Sequence, residues 1–240
     1  AVVSTGKDLI FLDDSGVRSL ARTIQEKSAP IGDISKNVNN DIKSLFAAET
    51  GNISLHYSPR EAFVLLNFQE LAVVYCFDTR FPLQDGSYRA TTWSHINPLI
   101  FTNTTAEALY IGNSAGLAQY TGFNDGTSSY LLSYFSHPLS FGDTANLKFL
   151  KKINLTTFDG AEATVVLNWA YDYSGAYKKQ AYTLPASNVG QYNISEFNTT
   201  AEYSSSIALI KRKKINTSGQ GTVVAVGVET TVDGKTIALQ

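Results

Sequence analysis

The chain has 240 residues, 43% of them hydrophobic and 17% charged, with a formal net charge of -2. That is enough apolar material for one large core or two modest ones, and too little excess charge for nucleic-acid binding driven by overall charge. A single cysteine excludes an internal disulfide, and the longest apolar stretch, 71–77, is far too short to span a bilayer.

From the N-terminus there is no charged segment leading into an apolar one, so neither a secretory signal nor membrane insertion is read here. Methionine is absent even at position 1, and the chain stops directly after the apolar "TIAL"; both ends read as cut from something larger. Most of the sequence alternates apolar and polar residues with a period of two between short Gly, Asp, Asn and Ser clusters, the pattern of half-buried strands. The expectation is an all-β fold.

"KDLIFLDDSGVRSL" (7–20) and "EALYIGNSAGLAQY" (107–120) overlay on each other, each with an apolar triplet, Asp13 or Asn113, Gly16 or Gly116, and a second apolar strand. Each reads as a hairpin. Between the two hairpins "NISLHYSP", "AFVLLNF", "LAVVYCFD" and "YRATTW" supply four strand candidates, the number in one propeller blade. One segment breaks the rhythm: after "SAPIG", Asp33 would cap a short helix over 34–48, with Ile34, Val38, Ile42 and Leu45 on one face. Lys36, Asn37, Asn40, Asp41 and Lys43 fall on its other face, read as the solvated side.

In "FDTRFPLQDGSYRATTW" (77–93), Asp78 with Thr79 and Arg80 would end one strand, Gln84-Asp85-Gly86-Ser87 would supply a turn, and Trp93 would close the hairpin by packing back between sheets. A sugar-stacking Trp93 is the alternative. From about residue 130 the strand candidates lengthen to "LKFLKKINLTTF", "EATVVLNWAYDY", "SSIALIKRKKI", "GTVVAVGVETTV" and "KTIALQ". They form a sandwich-like pattern in which 162–170 and 222–228 look central. The organisation expected is therefore a propeller-blade-like region over 1–129, with the helical insertion near 34–48, followed by a β-sandwich-like domain over 130–240.

Chemistry is sparse. Cys76, between Tyr75 and Phe77, reads as a small buried hydrophobe, and His56, His95 and His137 lack metal-ligand or triad spacing. Asp13-Asp14 and Asp159 with Glu162 are the nearest approaches to paired carboxylates, and both sit at turns, where acids are favoured for geometry. "SGQGT" and "DGTSS" lack the strand, helix and lysine of a phosphate loop. No catalytic, cofactor-binding or metal-ligating residue is assigned, no cofactor is expected, and the chain is not expected to be an enzyme.

Asn52, Asn103, Asn154, Asn193, Asn198 and Asn216 each begin an Asn-x-Ser/Thr tripeptide. Turns and exposed strands generate that tripeptide by composition, while an adhesive secreted glycoprotein would use it for sugar. Lys211-Arg212-Lys213-Lys214 alternates into an apolar strand and reads as an edge device.

The ordered segments "SGVRSLARTIQEKSAPIGDISKNVNNDI", "YSPREAFVLLNF", "YCFDTRFPLQDGSYRATTW", "LYIGNSAGLAQYTGF", "HPLSFGDTANLKFLKKI", "LNWAYDY" and "GQGTVVAVGVETTVDGKTIALQ" resemble the tail nozzle, or tail tubular protein B, family of short-tailed bacteriophages. The resemblance spans nearly the whole chain and implies the C-terminal part of a longer β-propeller protein. It further implies a virion component that assembles as a homo-hexameric ring, contacts the tail adaptor and tail fibres, and passes double-stranded DNA through its lumen without specific binding. The helix and the sandwich-like domain would then meet neighbouring subunits or fibres. The competing expectation is a carbohydrate-binding or depolymerising β module, for which a cleft holding Trp93 or Trp169 beside two acids would be the signature.

Overall fold

Residues 1–121 and 122–240 form two compact units in the computed structural model, which describes residues 1–26, 34–94, 96–158, 162–184, 189–190, 202–203, 210–234 and 238–239. The chain is mostly β, with strands over 49% of it and helix over 10%, and its sheets are almost all antiparallel.

Three antiparallel sheets follow one another along the first unit. The first joins β1 (Val2–Ser4), β2 (Leu9–Asp13) and β3 (Gly16–Ser19). After helices α1 (Leu20–Glu26) and α2 (Asn39–Ala48) comes a four-stranded meander of β4 (Ile53–Ser58), β5 (Phe63–Phe68), β6 (Val73–Asp78) and β7 (Arg89–Ser94). The third sheet joins β8 (Ile100–Asn103), β9 (Leu109–Asn113) and β10 (Gly116–Gln119).

β5 and β6 are apolar on both sides because both sides are covered. Val64, Leu66, Phe68, Tyr75 and Phe77 project to one face and pack with Ile10, Val17 and Ile42 from the first sheet and α2. Leu65, Val74 and Cys76 project to the other and pack with Phe101, Leu109 and Ile111 of the third sheet. The middle meander is thus a layer between two others, and its central strands read as continuous hydrophobic runs rather than alternating ones.

The two look-alike hairpins are present at matching registers, Asp13 opposite Gly16 and Asn113 opposite Gly116. Asn113 Oδ1 accepts hydrogen bonds from the Ala115 and Gly116 amides at 2.9 and 3.1 Å, and Asp13 Oδ1 accepts one from Asp14 at 2.8 Å. Gly16 and Gly116 then take φ of 119° and 141°, backbone that residues with a Cβ avoid.

The expected helix over 34–48 is shorter. Residues 36–38 form a 3-10 turn and α2 begins only at Asn39, with no side chain capping it; Asp33 lies outside the described residues. Ser35, which would have opened the helix, is buried and its Oγ accepts from the Val17 amide at 2.9 Å, holding this stretch to β3 instead. The apolar face was placed correctly: Ile34 and Ile42 are buried, and Val38 and Leu45 pack on the same cluster. A second helix, α1, was not foreseen. Ser19 accepts from the Arg22 amide at 3.2 Å and Asp8 accepts from the Ala21 amide at 2.9 Å, together capping its first turn.

The loop between β6 and β7 is longer than a turn and is anchored. Asp85 accepts from the Ser87 amide and hydroxyl at 3.1 and 2.6 Å, Lys36 lies 3.4 Å from Asp85, Asn37 donates to Ser87 at 3.1 Å, and Arg22 donates to the Gly86 carbonyl.

The second unit contains β11 (Tyr130–Phe135), β12 (Lys152–Phe158), β13 (Ala163–Tyr171), β14 (Lys178–Leu184), β15 (Val189–Gly190), β16 (Glu202–Tyr203), β17 (Ile210–Asn216), β18 (Val224–Val232) and β19 (Ala238–Leu239). Four of them pair in the order β11-β18-β13-β14, three in the order β17-β12-β19, and β15 pairs with β16 in parallel. Leu155 and Ile215 of the three-stranded sheet share a buried cluster with Val165, Leu167 and Leu184 of the four-stranded one. β13 and β18 are the two central strands, as the sequence suggested. The candidate strand at 147–158 starts only at Lys152, leaving Leu147 and Phe149 exposed outside any strand. Among the described residues no sheet closes into a barrel and no propeller is formed.

Phe77 is fully buried at the junction of the middle sheet with α2's layer. Phe77→Ala is expected to lower the stability of the first unit by about 3–5 kcal/mol. Labelling of the Cys76 thiol during urea unfolding reads that unit alone, since the chain has no other cysteine.

Candidate functional site

On the face of the middle sheet that meets β8–β10, the outer strip is left uncovered. Cross-strand register sets Asp78 opposite Arg89, Cys76 opposite Thr91 and Val74 opposite Trp93, and Phe63 lies opposite Asp78 on β5. Phe63, Cys76, Asp78, Arg89, Thr91 and Trp93, with Arg80 and with Tyr120 just past β10, line an open cleft of about 260 Å³. A second cleft, about 420 Å³, lies at the sheet's opposite face between Tyr75, Trp93 and the Asp41, Ser44 and Leu45 side of α2.

Trp93 is half-buried and does pack between sheets. Its ring is parallel to that of Tyr120, with centroids 5.5 Å apart at 6°, and Phe63 meets both rings edge-on at 6.1 and 6.0 Å. A parallel pair at that separation is slid sideways, so the two rings cover each other only in part. Trp169, the other tryptophan, is 5% exposed and donates its indole N–H to the Ser218 carbonyl at 3.0 Å, so it offers no stacking surface.

Asp78 is the one carboxylate lining the cleft, and it is already engaged. Arg80 grips it with two parallel hydrogen bonds, Nε to Oδ1 at 2.9 Å and Nη2 to Oδ2 at 2.7 Å, and adds its backbone amide at 3.0 Å. That pairing holds the Asp78 carboxyl below the usual carboxylate range, with the Arg89 charge a smaller contribution. Arg80 also lies over the Phe63 ring at 5.6 Å. The two-acid arrangement sought for sugar cleavage is absent from this cleft; two arginines stand where the second acid would be.

Cys76 forms the cleft floor, 4% exposed, with burial pushing its thiol up to about 12. At neutral pH it is a protonated core side chain. His56 is stacked on Phe101 at 5.9 Å, and burial pushes its pKa below 6.5 while the Asn103 side chain partly opposes the shift. His137 is exposed, His95 lies outside the described residues, and no cluster of metal ligands forms among the described residues. Asp13 and Asp14 serve their hairpin turn, with Arg18 3.7 Å from Asp13; Asp159 lies outside the described residues and Glu162 is exposed.

Of the Asn-x-Ser/Thr positions, Asn52, Asn154 and Asn216 are exposed and Asn193 and Asn198 lie outside the described residues. Asn103 donates its side-chain amide to the Tyr57 carbonyl at 2.8 Å, so that nitrogen already has a structural task. The cationic run lies on β17, an edge strand, where Lys213 sits 4.4 Å over the Tyr182 ring at the rim of the buried cluster.

The largest feature that sequence reading missed is β11. All six of its residues are exposed although it is hydrogen-bonded to β18, with Leu131 and Tyr134 at 64% and 66% exposure on opposite faces. "YLLSYF" carries no charge, whereas the opposite edge of the same sheet carries Lys178 and Lys179. The missing charge was legible; that the strand sits at an edge was not.

Compared with known proteins, the chain matches no protein-family profile and no curated protein.

The buried imidazole gives a pH dependence of known sign. Because the folded pKa of His56 is lower than 6.5, the unfolded chain takes up more protons as pH falls below that value, and stability is lost in that direction. Stability of the first unit, read by Cys76 labelling, is expected to decline below pH 6.5, and His56→Phe is expected to flatten that decline; an unchanged slope would show that other groups carry it.

Proposed function

We propose that the chain is a structural component of a bacteriophage tail, part of a homo-hexameric nozzle ring at the distal end of the DNA-ejection channel that also seats tail fibres. The observation that carries this reading is the stacking of three successive antiparallel meanders, with the middle one covered on both faces by its neighbours in sequence. Blades of a propeller bury one another in this way, each sheet covering the next. The middle meander has the four strands of a complete blade, and the repeated hairpins fall at equivalent places in the sheets on either side.

The second unit supplies the assembly surface. Its two sheets enclose a shared apolar cluster as the layers of a sandwich do, yet β11, Phe141, Leu147, Phe149 and Tyr173 leave apolar side chains in solvent. A strand edge without charge, proline or bulge is a template for another strand. A second copy of this chain is the partner that fits: uncharged β11 brings no like-charge repulsion to a contact between copies, and the charged edges β14 and β17 stay clear of it. In such a ring the lumen works by not binding. A lining without many Lys and Arg lets the duplex slide, since phosphate neutralisation by many cations produces tight, salt-dependent attachment. The adaptor and the fibres would meet the ring at its two ends, and the ring's home is the virion.

Sedimentation and electron imaging of the chain over a range of concentration are expected to show self-association into six-fold rings. A paired substitution on β11, Leu131→Lys with Tyr134→Lys, is expected to shift the equilibrium to monomer while leaving thiol-labelling stability of the first unit unchanged. A wild-type chain that stays at 26.1 kDa at every concentration would contradict the reading.

A further inference from the structure

Arg89 stands unused. It lines the cleft directly across the strands from Asp78, but both oxygens of that carboxylate are taken by Arg80, and among the described residues Arg89 forms no hydrogen bond or ion pair. Beside it on the same face of β7 is Trp93, slid against Tyr120, which is 41% exposed. An exposed guanidinium next to a partly exposed aromatic pair is a two-part recognition surface. The rings accept the C–H face of a flat, partly apolar ring, because the negative π-face attracts the weakly positive C–H bonds. The guanidinium accepts an anion, and a carboxylate matches its fork with two parallel hydrogen bonds.

We propose that this cleft binds an acidic saccharide, a pyranose carrying a carboxylate, with the sugar ring on Trp93 and Tyr120 and the carboxylate on Arg89. The Asp78–Arg80 pair fixes the sign of the site. Arg80 is held over Phe63 by Asp78 and neutralises it, so the incoming carboxylate meets the Arg89 charge without an unpaired acid opposing it. The cleft, about 260 Å³, is smaller than the roughly 300–1,000 Å³ of a typical small-molecule pocket and suits one ring of a chain that runs out into solvent at both ends. The site binds and does not cleave: its single carboxylate is already paired, and the Cys76 thiol at its floor is protonated. This inference does not depend on ring assembly, since every residue of the cleft belongs to one unit of one chain.

The test is titration of the intact chain with tetragalacturonate and with neutral maltotetraose at low salt, read by tryptophan fluorescence and calorimetry. Saturable binding of the acidic saccharide is expected, at least about tenfold tighter than the neutral one, as a charge-assisted pair supplies. Arg89→Gln is expected to remove that preference, Arg89→Lys to restore part of it, and Trp93→Ala to weaken binding of both, with circular dichroism confirming that each variant keeps its sheets. Sodium acetate at matched carboxylate concentration separates the sources of affinity: if it competes as well as the saccharide, the cleft is an anion site only and the proposal fails. No saturable binding of tetragalacturonate, or binding that Arg89→Gln leaves unchanged, overturns it.

Discussion

The first unit is organised by one demand, that β5 and β6 be covered on both faces. Phe63–Phe68 and Val73–Asp78 bury eight apolar residues and Asn67 almost completely, alternately on the two sides of the sheet. A sheet with only one side covered would leave Leu65, Val74 and Cys76, or else Val64, Leu66 and Phe77, in water, at a cost of about 1.5–3 kcal/mol for each large side chain. The first sheet with α2 answers one side and the third sheet answers the other. The chain returns to the same hairpin design to do so, Asp13 to Gly16 on one side and Asn113 to Gly116 on the other. Even the anchoring of the β6–β7 loop serves this end, because Lys36, Asn37 and Arg22 tie it to the helical layer that forms one cover.

That coverage stops short at the sheet's outer strip, and the cleft exists for that reason. Along β7, Arg89 and Thr91 are exposed, while Trp93 packs against the cluster beneath the third sheet and stacks on Tyr120. Asp78 and Arg80, two residues apart, close into a bidentate pair that a strand end allows, and Arg89 is left beside them acting on Asp78 only through its charge, with no hydrogen bond or ion pair among the described residues. The site is a by-product of where burial ends, and its chemistry comes from which side chains stand at that boundary.

Much of this was legible in the sequence, for reasons that can be stated. The strands over 53–94 and the two hairpins announce themselves through apolar runs punctuated by turn residues with short-range geometry. The apolar face of α2 follows from helical spacing alone. The start of α2 did not, because Ser35 bonds to β3, a contact made by folding rather than by local propensity. Helix α1 was hidden because its cap comes from Ser19 together with Asp8, eleven residues earlier and on the far side of the β2–β3 hairpin. β14 was missed because Lys178 and Lys179 dilute its alternation, and β11 because nothing local marks a strand as an edge. Trp93 was singled out from sequence, yet its partner Tyr120 is distant in the chain, and the freedom of Arg89 depends on Arg80 having taken Asp78 first.

The two units differ in where their central strands end up: the first covers β5 and β6 on both faces, while the second leaves β11 exposed at a sheet edge, the surface proposed for contact with another copy of the chain. Amide hydrogen exchange of the whole chain, followed by mass spectrometry across a concentration series, tests this difference most directly. β5 and β6 are expected to be the slowest-exchanging segments at every concentration, and β11 to gain protection only as concentration rises. If β11 exchanges at the same rate when dilute and when concentrated, or if β5 and β6 exchange as fast as β11, the account is contradicted.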